Sequence, residues 1–138
     1  MLRADLPLNS ALFDGDMDAT THHFAMFLVR NGASIGDPIC CGSFMFNELD
    51  GTPAWQLRGM ATDTLYQGRG VGARFLAESE RWLVERIDTR LFWCNARVPA
   101  VSFYEHSGWQ CISQVFEIDT AGPHRKMKKV AKAIDNKV

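Results

Sequence analysis

The chain has 138 residues, which fits one domain and leaves little room for two. Hydrophobic residues make up 46% and charged residues 22%, close to globular averages, so the composition excludes a disordered chain. A formal net charge of −1 argues against a nucleic-acid binder, and no apolar run reaches the roughly 20 residues of a membrane span.

Residues 1–21 read as an irregular segment, with Pro7, Gly15 and a run of acids. Its start, Met1-Leu2-Arg3-Ala4-Asp5, lacks the apolar stretch of a signal peptide, so the expected location is cytoplasmic. Asp14-Gly15-Asp16-Met17-Asp18 resembles the opening of a calcium loop. The required glycine is replaced by Ala19 and the closing glutamate by Ala25, so no metal is expected. The continuous apolar run 24–29 predicts a strand covered on both faces, followed by turn signals at Asn31-Gly32 and Gly36-Asp37-Pro38. Residues 39–48 predict a second strand, and Asp50-Gly51-Thr52-Pro53 the next turn. In 55–62, Trp55 and Leu57 alternate with Gln56 and Arg58, as in a strand. Gly59 interrupts this third strand, which often signals a bulge. Short connections make the three an antiparallel meander.

Beyond a glycine-rich loop the period changes. Phe75, Leu76, Leu83 and Ile87 line one side of 71–87, with Arg74, Glu78, Arg81 and Glu85 mostly on another, which predicts an amphipathic helix. Residues 91–94 predict a short buried strand, parallel to 55–62 because a helix connects them in a right-handed crossover. Residues 99–107 read as a short helix stopped by Gly108, and 109–118 and 125–130 as two last strands. The expected fold class is therefore α/β (α+β): a mixed, mostly antiparallel central sheet with one βαβ crossover and helices packed on it. The whole of 1–138 forms a single domain, with 131–138 as a basic tail. From His124 onward six basic residues face one acid, a pattern that fits a solvated edge strand protected by lysines. Cys40 and Cys41 are adjacent, and neither Cys94 nor Cys111 forms a CxxC pair, so buried thiols fit better than a disulfide or zinc site.

The loop Gln67-Gly68-Arg69-Gly70-Val71-Gly72-Ala73 carries the chemistry. Its glycines permit tight turning and close approach of backbone N–H groups. It opens a helix, whose first N–H groups lack partners and whose dipole favours anions, so it predicts a phosphate site. Arg69 and Arg74 could add charge-assisted contacts. A dinucleotide fold would require an acid after the next strand, but Asn95 stands there; a Walker loop would require Gly-Lys-Ser/Thr, which is absent.

Met60-Ala-Thr-Asp-Thr-Leu-Tyr-Gln-Gly-Arg-Gly-Val-Gly72 resembles motif A of the GNAT superfamily of N-acetyltransferases, Q/R-x-x-G-x-G/A, with Gln67, Gly70 and Gly72 filling it in order. Asn95-Ala-Arg97, Phe103-Tyr-Glu-His-Ser-Gly-Trp109 and Gly122-Pro-His124 also look like GNAT segments, so the likeness runs over about residues 22–130. The resemblance implies that Gln67, Gly68, Arg69, Gly70, Val71, Gly72 and Ala73 bind the pyrophosphate of acetyl-CoA. It implies that Met60, Ala61 and Thr62 lie along the pantetheine arm, with an N–H near Met60 or Ala61 polarising the thioester carbonyl. Asn95 and Arg97 would border the cofactor's other side, although many relatives carry asparagine where Arg97 stands. Tyr104 matches the tyrosine that protonates the departing thiolate in many members.

The implied activity is transfer of acetyl from acetyl-CoA to a primary amine of a small molecule or peptide by direct attack. A lysine-like amine costs roughly 4.6 kcal/mol to neutralise at pH 7, so a base or desolvating pocket is needed. Some relatives place a glutamate where this chain has Phe92, which leaves the base unidentified: His124 could accept the proton, directly or through water, or could merely hydrogen-bond the sheet, and Glu105 and Glu117 are weaker candidates. GNAT domains usually begin with a strand and helices that wall the acceptor site, and here the N-terminal region is apparently shortened. An uncovered sheet edge predicts a homodimer. The missing glutamate and short start also leave a second reading, a catalytically inactive CoA-binding or regulatory module.

Overall fold

In the computed structural model, which describes residues 12–14 and 20–132, the meander forms around a tight hairpin. Asn31 and Gly32 both take positive φ, 53° and 78°, as a two-residue turn matched to strand twist requires. They join β2 (Thr21–Arg30) to β3 (Ala33–Phe46), both longer than the sequence pattern predicts. Gly36, Asp37 and Pro38 are not part of the turn; they lie where the β2–β3 register slips between Met26 and Leu28. Proline has no N–H to give the ladder, so a bulge absorbs it. The segment read as irregular contains β1 (Leu12–Asp14), antiparallel to β2 at Met26, Ala25 and Phe24. The edge of β2 is therefore partly paired, contrary to the expectation that 1–21 is wholly irregular. Residues 1–11, 15–19 and 133–138, including Asp16, Asp18 and most of the basic tail, lie outside the described residues.

β4 (Trp55–Thr62) follows antiparallel to β3, α1 (Val71–Ile87) crosses over, and β5 (Leu91–Arg97) returns parallel to β4. A 3-10 turn at Val98–Ala100 leads into α2 (Val101–His106). The stretch expected as one strand over 109–118 divides into β6 (Gln110–Cys111) and β7 (Phe116–Ile118). Both pair with β8 (Gly122–Val130), giving the sheet order β1-β2-β3-β4-β5-β8-β6 with β7 also on β8. The basic strand is thus interior and not the edge that its lysines suggested. Lys126 instead lies over the Trp93 ring at 5.2 Å.

Alternation on β2 turns His22, Phe24, Met26 and Leu28 under α1, where they meet Phe44, Trp55, Leu57, Phe75, Leu76 and Leu83. Ile87, expected on the apolar side of α1, is 40% exposed. The buried stripe also includes Glu80, which stands four residues after Leu76 and three before Leu83 and so is an acid on the apolar side. Its Oε1 lies 2.8 Å from Lys129 Nζ, and Trp109 Nε1 donates to Oε2 at 3.2 Å. Lys129 also donates to the Ser107 carbonyl at 3.0 Å, tying β8 to the end of α2. Burial pushes the Glu80 carboxyl upward, against the opposing pull of Lys129 and Trp109. Gly72 marks another close approach: a Cβ there would lie 3.0 Å from Phe103 and 3.2 Å from Met60.

Two stability measurements test this packing. Glu80→Ala leaves the Lys129 ammonium without its buried partner and should destabilise the protein by about 3 kcal/mol in urea unfolding. The double replacement Glu80→Leu with Lys129→Met should recover most of that loss. Gly72→Val should cost about 1–3 kcal/mol by driving α1 away from Phe103.

Candidate functional site

The glycine loop is braced before it reaches α1. Asp63 accepts from Leu65 N–H at 2.9 Å and its own N–H donates to the Ile39 carbonyl at 2.8 Å. The Gln67 side chain donates back to the Thr62 carbonyl at 3.1 Å, clamping the loop onto the end of β4. Gly68 and Gly70 then take left-handed φ, 75° and 79°, and a Cβ on either would meet nothing within 4 Å. Open space therefore lies in front of both. Gly70 caps α1 without any side-chain hydrogen bond, so the first-turn amides face this space. Donors, dipole and room together fit a diphosphate. The resulting cleft, about 490 Å³, is lined by Met60, Ala61, Thr62, Gln67, Gly68, Gly70, Val71, Gly72 and Ala73, and closed by Phe103 and Tyr104. Arg69 is exposed and does not line it. The Arg74 guanidinium is held along the helix by Glu78, with Nε–Oε2 at 2.7 Å.

The cleft continues because the sheet splits beside it. On β3, Cys41 pairs with Ala61 and Ser43 with Arg58, so Gly59 and Met60 together oppose Gly42. Gly59 has φ of 66°, and this is the bulge that its position in the strand predicts. β4 consequently pairs with β5 only at Trp55–Phe92 and Gln56–Trp93, then diverges. A second chamber of about 550 Å³ fills the gap. Met60, Ala100 and Tyr104 border both spaces, so the two meet at this point.

Asn95 and Arg97 lie in this second chamber, with Arg58 and His124, and not along the glycine-loop cleft. The Asn95 side-chain oxygen is buried and meets no hydrogen-bond donor among the described residues. Tyr104 packs between Phe103 and Trp109, its hydroxyl 3.9 Å from Met60 Sδ. Burial, then proximity to Cys94 and Cys40, holds its phenol above the ordinary value of 10.0. Burial and Cys111 likewise push the Cys94 thiol up to about 12, far from the thiolate form.

His124 is 5% exposed, and its Nδ1 lies 2.8 Å from the Gly122 carbonyl. A carbonyl can only accept, so Nδ1 carries a proton, and in the neutral ring the lone pair stands at Nε2. Glu105 is exposed on α2, and Glu117 pairs opposite Pro123, so neither borders the chamber. Phe92, standing where some relatives have glutamate, is wholly buried against Phe44 at 5.7 Å. Arg58 and Ala100 border the chamber without having been marked by the sequence; the outward phase of Arg58 beside Gly59 was the available signal for the first.

Known proteins resemble this chain in sequence or in fold. The chain is 34% identical over 76 residues to "Uncharacterized N-acetyltransferase YitI" of Bacillus subtilis (strain 168), covering 55% of this chain and 50% of that one. It thus spans about half the length of the curated relative it matches. A Lactobacillus plantarum protein assigned to the N-acetyltransferases shares the fold with a TM-score of 0.65 at 20% identity, over 86% of this chain and 74% of that one. A spermidine N-acetyltransferase chimera from Vibrio cholerae SpeG and hSSAT does so with a TM-score of 0.65 at 11% identity, over 82% and 68%. The family model described as "Acetyltransferase (GNAT) family" matches residues 4–109, most of the strands, the glycine loop and α2 included, and the chain belongs to that family.

Proposed function

We propose that this protein moves an acetyl group from acetyl-CoA to a primary amine, by direct attack of the amine on the thioester. One observation carries the reading: a diphosphate-sized cleft and a polar chamber meet at Met60, Ala100 and Tyr104, where a strand bulge opens the sheet. Bound acetyl-CoA supplies a thioester carbon activated toward amines. The amides of the loop and first turn of α1 hold its diphosphate, and the walls formed by Met60, Ala61 and Thr62 align its arm. A bulge leaves backbone donors outside the ladder, so an N–H at Met60 or Ala61 is available to the carbonyl oxygen as negative charge develops.

Tyr104 is the proton donor to the leaving sulfur. Its raised pKa keeps the phenol protonated throughout the neutral range, so the donor is always loaded. His124 Nε2, with Nδ1 fixed by Gly122, takes the proton from the amine, directly or through water. The elevated Cys94 thiol supports direct attack over an acyl-cysteine route, which would need a thiolate. The polarity of the chamber and the lone pair at His124 favour turnover over a purely CoA-binding role.

Calorimetry should register coenzyme A uptake by the purified protein, and Gly70→Asp should weaken it at least tenfold by setting a carboxylate against the diphosphate. Tyr104→Phe should lower kcat about 100-fold with little change in CoA affinity. The wild-type rate should show no decline from Tyr104 up to pH 10, because the folded phenol titrates above its ordinary value. A Tyr104-dependent fall centred below pH 10 would contradict the raised pKa, and an unchanged kcat in Tyr104→Phe would contradict the acid assignment. Absence of CoA uptake would remove the enzyme altogether.

A further inference from the structure

The charge of the second chamber bears on what enters it. Sheet registers fix which residues share its face. Gln56 pairs with Trp93, and Arg97 with His124 and Asn95 with Lys126 across β5 and β8. By strand alternation Arg58, Asn95, Arg97, His124 and Lys126 therefore project from one face of the sheet, around the point where β4 and β5 diverge. Two of these five, Arg58 and Arg97, are permanent cations that border the chamber; Lys126 lies on the same face, over Trp93. Among the described residues that border the chamber there is no aspartate or glutamate. Glu117 pairs opposite Pro123, one position out of phase with Phe116 and Ile118, and so turns to the other face. Glu105 is exposed on α2, and Asp119 lies exposed in the turn after β7; neither borders the chamber.

An acceptor with several ammonium groups would meet only like charge here, without a carboxylate to receive it. The chamber offers a different pairing. The buried Asn95 oxygen has no donor among the described residues, and the neutral His124 ring presents its lone pair at Nε2; both suit an amine N–H. The guanidinium forks of Arg58 and Arg97 suit a carboxylate or phosphate, which they can hold through two parallel bonds.

We infer that the acceptor is an anionic amine: a molecule whose primary amine reaches Asn95 and His124 while its carboxylate or phosphate is held by Arg58 and Arg97. This rests on the acetyl-transfer reading and narrows it. It also separates this chain from the spermidine-acetylating neighbour, whose named substrate is a polycation.

The test is thiol release from acetyl-CoA with four probes: 4-aminobutyrate, 2-aminoethyl phosphate, the neutral 4-aminobutanamide and 1,4-diaminobutane. At least one anionic probe should exceed both the amide and the diamine tenfold or more in kcat/KM, chiefly through KM. Which anion wins tells carboxylate from phosphate. Arg58→Gln should shrink that preference at least fivefold, and Arg58→Glu should reverse it in favour of the diamine. Arg58 is exposed, so both variants are expected to fold. A diamine equal to or better than the anions in the wild type overturns the inference while leaving acetyl transfer standing, as does a preference that survives Arg58→Glu. No release with any amine overturns the transfer reading and this inference together.

Discussion

Gly59 and Met60 take the space of one residue opposite Gly42, and the consequences run through the whole site. Had the β4–β5 ladder continued, parallel pairing would have sealed the sheet at Arg58 and Asn95. The extra residue instead bends β4 away after two pairs, and a sheet that would be a continuous floor becomes one with a slot. Glycine is needed there because the backbone enters the left-handed region, at φ of 66°. Gly42 accommodates the bulge on the partner strand, since a Cβ there would come within 3.4 Å of the Met60 Cα and 3.1 Å of Phe75. The slot joins a cleft on the helical side to a chamber on the other, and chemistry between two molecules needs both.

The two sides of the slot differ in electrostatic character. On the helical side, charge is carried by oriented main-chain amides, which suit a diphosphate and change little with pH. On the far side, it is carried by the guanidinium groups of Arg58 and Arg97. Tyr104 stands between them, anchored by aromatic contacts with Phe103 and Trp109. Trp109 is held in turn by Glu80, and Glu80 by Lys129, so a buried ion pair lies behind the proposed acid. Such a pair adds little net stability, but removing one half leaves a charge stranded beside the helix that carries Tyr104.

Regular periodicity made most of this fold readable in advance. The 2-residue alternation of Trp55–Thr62 and the helical stripe of Val71–Ile87 are local properties, and both elements form over the expected residues. The misreadings share another cause. Strand β1, the split of 109–118 into β6 and β7, and the interior place of β8 depend on partners distant in sequence, which local patterns do not encode. Glu80 is the clearest case: helical phase sets it beside Leu76 and Leu83 on the buried side, and only a lysine brought in by β8 makes an acid tolerable there.

The sequence by itself determined the glycine-rich loop, its handover from strand to helix, and Gly59 as the site of the bulge, because glycine freedom and helix-end chemistry act over a few neighbouring residues. Only the tertiary structure decided what the slot connects. Arg58, Asn95, Arg97 and His124 come from three strands and form one chamber because parallel and antiparallel registers set them in phase on one face. No local pattern contains that registration, and it is what gives the chamber its charge.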